Sequence, residues 1–451
     1  MKRNTALARY LERYIESDLP DPPPGAQPWQ HVLVIPAYAE SPTFLDRLNS
    51  ITGGSERTLV IVVLNRPEPG YTSDTSPVKD TKLSPNGDDN QPLRDAIAKL
   101  KKTLPGATEL SDLSDSTQLY LLDMERLLGP TSAAQGVGLA RKFGCDLALL
   151  WQSRQFIESE WICCSDADAT LPSDYFQRLA QTEPDTAAAV YPFIHVAGKS
   201  AATHLATTLY ELRLHHYVLG LEYAKSPYAY HTLGSALAIK ANHYAQVRGF
   251  PKRAGGEDFY LLNKAAKTGT VTRLTGSTIE LLSRASARVP FGTGPAVEKI
   301  LMSDEHFGGA IFYHPQCFEA LRIWLEVAPG LFCEPLKSLP LLLENAGLTH
   351  AAASTAAALL KTMGLEGAIA HCHKQGKSKE QFNRQFHQWF DGFRTLKFIH
   401  ALRASDWPDQ TLDALSKLQP CLWPAYASAQ DDIDALQINI QKHWGWTTHH
   451  Q

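Results

Sequence analysis

The chain holds 451 residues, of which 44% are hydrophobic and 20% charged, and its formal net charge is −4. That is enough for about two or three domains with cores of their own. Lysine and arginine form no long basic run, which argues against the phosphate-neutralising surface of a non-specific nucleic-acid binder.

Residues 1–20, MKRNTALARYLERYIESDLP, place Arg9, Glu12, Arg13 and Glu16 between apolar residues at helical spacing. They lack the unbroken apolar region of a signal peptide, and no later stretch approaches the ~20 apolar residues that span a bilayer. A proline-rich linker ends near residue 30. HVLVIPAY (31–38) then reads as a buried strand, and SPTFLDRLNSI (41–51) as a helix capped by Ser41, with proline in its first turn. RTLVIVVLN (57–65) is a second all-apolar strand. Strands apolar on both faces, alternating with helices, predict a mainly parallel sheet covered on both sides.

Residues 66–92 are polar and rich in Pro, Ser, Asp and Gly, and read as a mobile surface insertion, a candidate lid. Helix PLRDAIAKLKK, strand QLYLLDM and a long helix entered through Gly136 and Gly138 follow. EWICCSDAD is the next strand, PSDYFQRLAQ a helix, AAAVYPFIHV a strand, and roughly 200–223 a helix. SALAIKA supplies a further strand and EDFYLLNKAAKTG a helix ending at Gly269. From about 296 onward the periodicity is helical, including EQFNRQFHQWFDGFRTLKFIHALR as one piece. The seven cysteines include no CxxC pair. Their odd number argues for reduced thiols in a soluble, cytoplasmic protein rather than a disulfide framework.

Asp166 and Asp168, in WICCSDADATLP (161–172), stand two apart. If the strand runs to 168, both carboxylates share one side of the sheet's carboxyl edge. Two carboxylates held together repel, so a divalent cation is a natural occupant. An acidic strand terminus capping the next helix is the plainer reading. DADAT also fits the D-x-D-x-T pattern of haloacid-dehalogenase-like phosphatases, whose first Asp is phosphorylated. Here three strand candidates precede the motif, and no downstream GDxxxD element is apparent. HCH (371–373) pairs two histidines, but on a helix residues i and i+2 diverge, which predicts a surface pair.

GSALAIKANHYAQVRGFPKRAGGEDFYLLNKAAKTG (234–269) resembles the family 2 type of GT-A glycosyltransferases, in which a GS strand leads to GGF and then GED. VLVIPAYAE, VIVVLN, GVGLARKFGCDLAL and CCSDADATLPSDYF are similar to that family's other elements in the same order. The resemblance covers about residues 31–285. It implies a Rossmann-like catalytic domain over 31–295, after the helix and linker of 1–30 and before a helical C-terminal domain, 296–451. It also implies transfer of a sugar from a nucleotide-diphosphate donor to a hydroxyl acceptor, with Mn2+ or Mg2+ neutralising the leaving diphosphate.

By the same resemblance Asp168 contacts the metal, and Asp166 holds the ribose or the metal's water shell. Asp258 is the base of an inverting reaction, favoured here over a retaining one, and Glu257 beside it binds the acceptor or tunes the pair. Gly234 and Ser235 lie on the acceptor side. Pro36, Ala37, Tyr38 and Glu40 seat the base and ribose. Asn65 stands where many members carry an Asp that reads the base, so base identity stays open. Arg141 is a nucleotide-site candidate, whereas Lys142 replaces the usual Asn and is expected to face solvent. Arg284 and Arg288, four apart before a glycine-rich loop, could bind diphosphate oxygens. His306 is the candidate late metal ligand, with His314 the next histidine downstream. The lack of spanning segments favours a small soluble acceptor, and the C-terminal helices would shape an acceptor site or a homo-oligomer contact. A nucleotide-sugar-binding protein without catalysis is the alternative within the same fold.

Overall fold

The structure is a computed structural model and describes residues 5–48, 51, 56–68, 88–104, 106–284, 292–305, 308–415, 417–423 and 433–448. Two compact units divide the chain: Met1–Thr207 with Thr232–Glu298 and Gly445–Gln451, and Thr208–His231 with Lys299–Trp444.

In the first unit, strands β1 (His31–Ala37) and β2 (Thr58–Leu64) pair in parallel over their whole length. Val32 to Ile35 are at most 1% exposed and Leu59 to Leu64 are fully buried. Each such side chain removed from water is worth ~1.5–3 kcal/mol, which makes this pair the centre of the core. β3 (Leu110–Asp112), β4 (Thr117–Asp123), β5 (Trp161–Cys164), β6 (Ala169–Thr170), β7 (Thr186–Val190), β8 (Phe193–Val196), β9 (Leu237–Lys240) and β10 (Thr270–Arg273) follow in the chain. The main sheet has eight strands in the order β10-β7-β9-β5-β1-β2-β4-β3, with β3 and β9 antiparallel to their neighbours. The small strands β11 (Gly276–Ser277), β12 (Ile279–Leu282) and β13 (Trp446–Thr447) complete two minor sheets, β11-β13 and β6-β12-β8. The helix Gly136–Ser153 lies against β1, β2 and β5. Gly144 is required there, because a Cβ would come within 2.8 Å of Val63 Cγ2.

Several elements differ from the sequence reading, each for a local reason. The helix expected over 41–51 is one turn, Phe44–Arg47, with Thr43 rather than Ser41 at its N-cap. Ser41 instead closes its own turn, its Oγ accepting from the Thr43 N–H. The strand through AAAVYPFIHV breaks at Tyr191–Pro192 into β7 and β8, because proline cannot donate to a ladder. The segment after Thr170 forms only the 3-10 turn Gln177–Gln181. Lys142 is 5% exposed instead of solvent-facing. Its Nζ donates to Asp146 Oδ2 at 2.8 Å and to Tyr10 Oη at 2.6 Å. Asp146, fully buried, also accepts from the Tyr10 and Tyr244 hydroxyls and from the Glu16 N–H. The helix Thr5–Arg13 is thereby clasped to the helix Gly136–Ser153 through one buried charge pair.

In the second unit, helices Pro315–Val327, Leu339–Asn345, His350–Thr362, Leu365–Gln375, Lys379–Trp389 and Gly392–Ser405 enclose a core built on Leu321, Trp324, Phe382, Phe386 and Phe398. The piece expected as one helix over 380–403 is two, because Asp391 caps the second by accepting from the Arg394 N–H. His371 and His373 are exposed while Cys372 is buried, as the helical spacing predicts. His314 caps its helix through the Gln316 N–H. No helix among the described residues is long and apolar enough to cross a membrane, and all seven cysteines are free thiols. The mainly parallel sheet with packed helices, and the helical run after it, match the architecture that the resemblance implies.

Candidate active site

β5 ends at Cys164, not at 168, so the two aspartates leave the strand rather than share one of its faces. The Ser165 N–H donates to Val34 O and its hydroxyl donates to Ser235 O at 3.0 Å, which ties the exit of β5 to β1 and to the start of β9. A turn then follows, closed by the Ala169 N–H on Asp166 O, and β6 pairs with β12 in register Leu281↔Ala169. The D-A-D segment is thus a bridge from the main sheet to a minor one. Both its ends are hydrogen-bonded, and this holds the carboxylates in place without helical or strand regularity.

Arg141, on the helix Gly136–Ser153, is 2% exposed. Its Nη2 donates to Asp166 Oδ1 at 2.5 Å, its Nε to Glu257 Oε1 at 2.9 Å, and its Nη1 to Ser165 O at 3.4 Å. Burial opposes the charged guanidinium, but Asp166 and then Glu257 more than offset it, so the Arg141 pKa is raised. Gly234 makes room for it, since a Cβ there would lie 2.7 Å from Arg141 Cζ. Ser235, 4% exposed, supports the same corner through its carbonyl. One buried cation therefore joins residues 166 and 257, which the sequence reading assigned to the donor and acceptor sides.

Asp258 follows Glu257 in the first turn of the helix Glu257–Ala265, which starts after Gly256 at φ 66°. Its Oδ1 accepts from the Phe259 N–H at 2.6 Å. Burial, and secondarily the charge of Glu257, push the Asp258 carboxyl from 3.8 up to about 7, against the opposing pull of Phe259 N–H and Arg141. A carboxyl of that affinity can exchange a proton near neutral pH.

The loop after β1 forms the opposite wall. Pro36 and Ala37 end the strand, paired with Val63 and Leu64, and Tyr38 and Glu40 are half-buried beyond it. Ala39 has φ 50°, and its N–H donates to Asn90 Oδ1 at 3.0 Å. Asn90 is fully buried and its Nδ2 donates to Asn65 O and to Glu125 Oε2. The left-handed turn is thus fixed from outside, as such a conformation in a non-glycine residue requires. Asn90 lies in the stretch 66–92 read as an insertion; residues 66–68 and 88–92 are ordered parts of the fold, and 69–87 lie outside the described residues. Asn65 is 7% exposed, with its N–H on Ala37 O.

Arg284 joins this wall to the aspartates. Its guanidinium straddles Glu40, with Nη1 and Nη2 each 3.2 Å from a carboxylate oxygen, and Nη2 also lies 2.9 Å from Asp168 Oδ2. Burial disfavours its charge, but Asp168 and then Glu40 outweigh it and raise its pKa. Arg288 and His306 lie outside the described residues.

Asp166 and Asp168 side chains are 36% and 21% exposed. Their hard oxygen donors fit Mg2+ or Mn2+ held by one or two carboxylates, with water and phosphate oxygens completing the shell. Among the described residues no group of three or more His, Cys, Asp or Glu is arranged to hold a metal ion. Sequence spacing could flag the aspartates, and the family resemblance Glu257–Asp258. It carried no signal for Asn90 or Ser165, whose roles arise from hydrogen bonds to distant backbone.

Compared with known families, the chain matches no family model. Compared with curated proteins, it matches none. Among solved structures it is similar to residues 1–349 of TarS from S. aureus in complex with UDP-GlcNAc, at 13% identity over 81% of this chain and 91% of that one, with a TM-score of 0.35. It is also similar to the mannosyltransferase PcManGT from Pyrobaculum calidifontis in complex with GDP-Man and Mn2+, at 17% identity over 89% and 95% of the two chains, with a TM-score of 0.34.

Proposed function

We propose that the chain is a family 2-like GT-A glycosyltransferase, which moves a sugar from a nucleoside-diphosphate donor to a hydroxyl acceptor with inversion. The observation that carries this reading is the single buried Arg141 bonded to both Asp166 and Glu257, with Asp258, whose carboxyl burial pushes up, next in the chain. The carboxylate offered to the metal and the candidate proton acceptor are thereby linked through one group.

In this reading Asp166 and Asp168 would hold Mn2+ or Mg2+, which when bound supplies charge neutralisation for the departing diphosphate. Asp258, ionised, takes the proton of the acceptor hydroxyl at Oδ2, since Oδ1 already accepts from Phe259. The deprotonated oxygen attacks the anomeric carbon, and the nucleoside diphosphate leaves with the bond's electron pair. Glu257, held by Arg141, orients the acceptor or keeps Asp258 titrating near neutrality. Arg141 acts as a positioning residue, because its three nitrogens all face protein acceptors. The loop of Pro36, Ala37, Tyr38 and Glu40, with Asn65, seats the nucleoside. A small soluble acceptor and a cytoplasmic setting complete the proposal.

A thermal-shift screen of UDP, GDP and ADP with Mn2+ or Mg2+ tests the donor half. Stabilisation by at least one nucleotide–metal pair is expected, as a ligand of the folded state raises the melting temperature. No stabilisation by any pair would overturn the reading. For an active donor, NMR of the product anomer decides inversion, and an α-product from an α-donor refutes Asp258 as base.

A further inference from the structure

Arg284 is not a loose surface side chain. The residue before it, Ser283, donates its N–H to Val196 O at 3.0 Å, and its hydroxyl lies 3.0 Å from His204 Nδ1. β12 ends two residues earlier and is paired to β6, immediately after Asp168. Sheet register therefore delivers the guanidinium to the D-A-D turn, where it bridges Asp168 at 2.9 Å and both oxygens of Glu40 at 3.2 Å. Asp166, the other aspartate, is held separately by Arg141.

We infer that Arg284 is a resident counter-charge of Asp168 and disfavours a divalent cation at that carboxylate until a nucleoside diphosphate takes the guanidinium over. The inference rests on the donor-and-metal reading above and adds an order of events to it. A cation held by Asp168 would share its carboxylate with a guanidinium 2.9 Å away, and the repulsion between two positive charges on one carboxylate disfavours the metal while Arg284 stays in place. Arginine can leave the carboxylate by side-chain rotation and meet a diphosphate with the same two-pronged geometry. Glu40 provides a second partner during that exchange. Metal and nucleotide then load together, and the metal alone binds weakly.

The test is Mn2+ binding, read from the electron-paramagnetic-resonance signal of free Mn2+, for wild type, Arg284→Gln and Arg284→Lys, with and without UDP or GDP. Arg284→Gln should bind Mn2+ alone at least ~10-fold tighter than wild type, because the competing charge is gone. Arg284→Lys keeps the charge and should stay within ~3-fold of wild type, which keeps the test decisive if the Gln variant folds poorly. Adding UDP or GDP should tighten Mn2+ binding more in wild type than in Arg284→Gln. Equal or weaker Mn2+ affinity of Arg284→Gln, with nucleotide-dependent Mn2+ binding intact in wild type, overturns this inference alone. The inference also falls if Arg284→Lys binds Mn2+ alone ~10-fold tighter than wild type, since charge is then not the barrier. No Mn2+ binding by wild type in the presence of either nucleotide overturns the donor-and-metal reading as well.

Discussion

Replacing Asp258 by Asn should make the protein more stable and inactive at once. In the folded chain, burial pushes this carboxyl from 3.8 up to about 7. The folded state then holds the proton more tightly than the unfolded chain does, so stability falls as pH rises through that interval. The penalty is absent below about pH 4 and complete above about pH 7, growing by ~1.4 kcal/mol for each pH unit between them. An interval of about three pH units sets a ceiling of ~4 kcal/mol. Asn cannot ionise, yet its Oδ1 can still accept the Phe259 N–H that Asp258 now accepts at 2.6 Å. Urea denaturation of the two proteins should therefore show the variant ahead by up to ~1–2 kcal/mol near about pH 5 and by up to ~4 kcal/mol near about pH 8. The widening of ~2–3 kcal/mol between those conditions is the diagnostic quantity. Sugar transfer should fall by ~10²–10⁴, the range for a lost general base. If the stability difference is flat with pH, or narrows as pH rises, the placement of a half-buried, proton-holding carboxyl at 258 is wrong.

Gly234→Ala would drive a methyl group into the Arg141 guanidinium, and a displacement of that size at a positioning group should lower kcat/KM by ~10²-fold. Circular dichroism should remain unchanged, and a fully active Gly234→Ala enzyme would show that Arg141 is not held as described. Lys142→Met removes the cation facing the fully buried Asp146 and should cost ~3–5 kcal/mol in chemical denaturation, since one charge stays buried without its partner. A loss below ~1 kcal/mol would mean that water or the tyrosine hydroxyls already compensate that charge. Chelation by EDTA should erase the thermal stabilisation given by the best nucleotide while leaving the melting temperature of the nucleotide-free protein in place. A nucleotide shift that survives chelation would remove the metal from the binding step.

Local pattern was enough for the alternation of buried strands and helices, because period and apolar runs are properties of neighbouring residues. HVLVIPA and TLVIVVL are strands β1 and β2 with boundaries close to those read from their apolar runs. Asp166 and Asp168 stood out as acidic groups at the end of an apolar segment, whereas Glu257 and Asp258 were singled out only by the family resemblance. What they touch was decided elsewhere. Arg141 meets Glu257 across 116 positions of sequence, and Arg284 meets Glu40 across 244. Spacing carries no record of such pairings, which exist only once the sheet order sets β9, β5 and β1 side by side and β12 pairs with β6 beside the D-A-D turn. Lys142 shows the same limit in reverse: it was expected to face solvent, and only the docking of Tyr10 onto it and onto Asp146, one turn on in the same helix, makes burial tolerable. By itself the sequence determined the elements and the acidic groups available. The tertiary structure decided which cation answers each carboxylate, because charge pairing depends on distance in space and burial, and neither is a function of position along the chain.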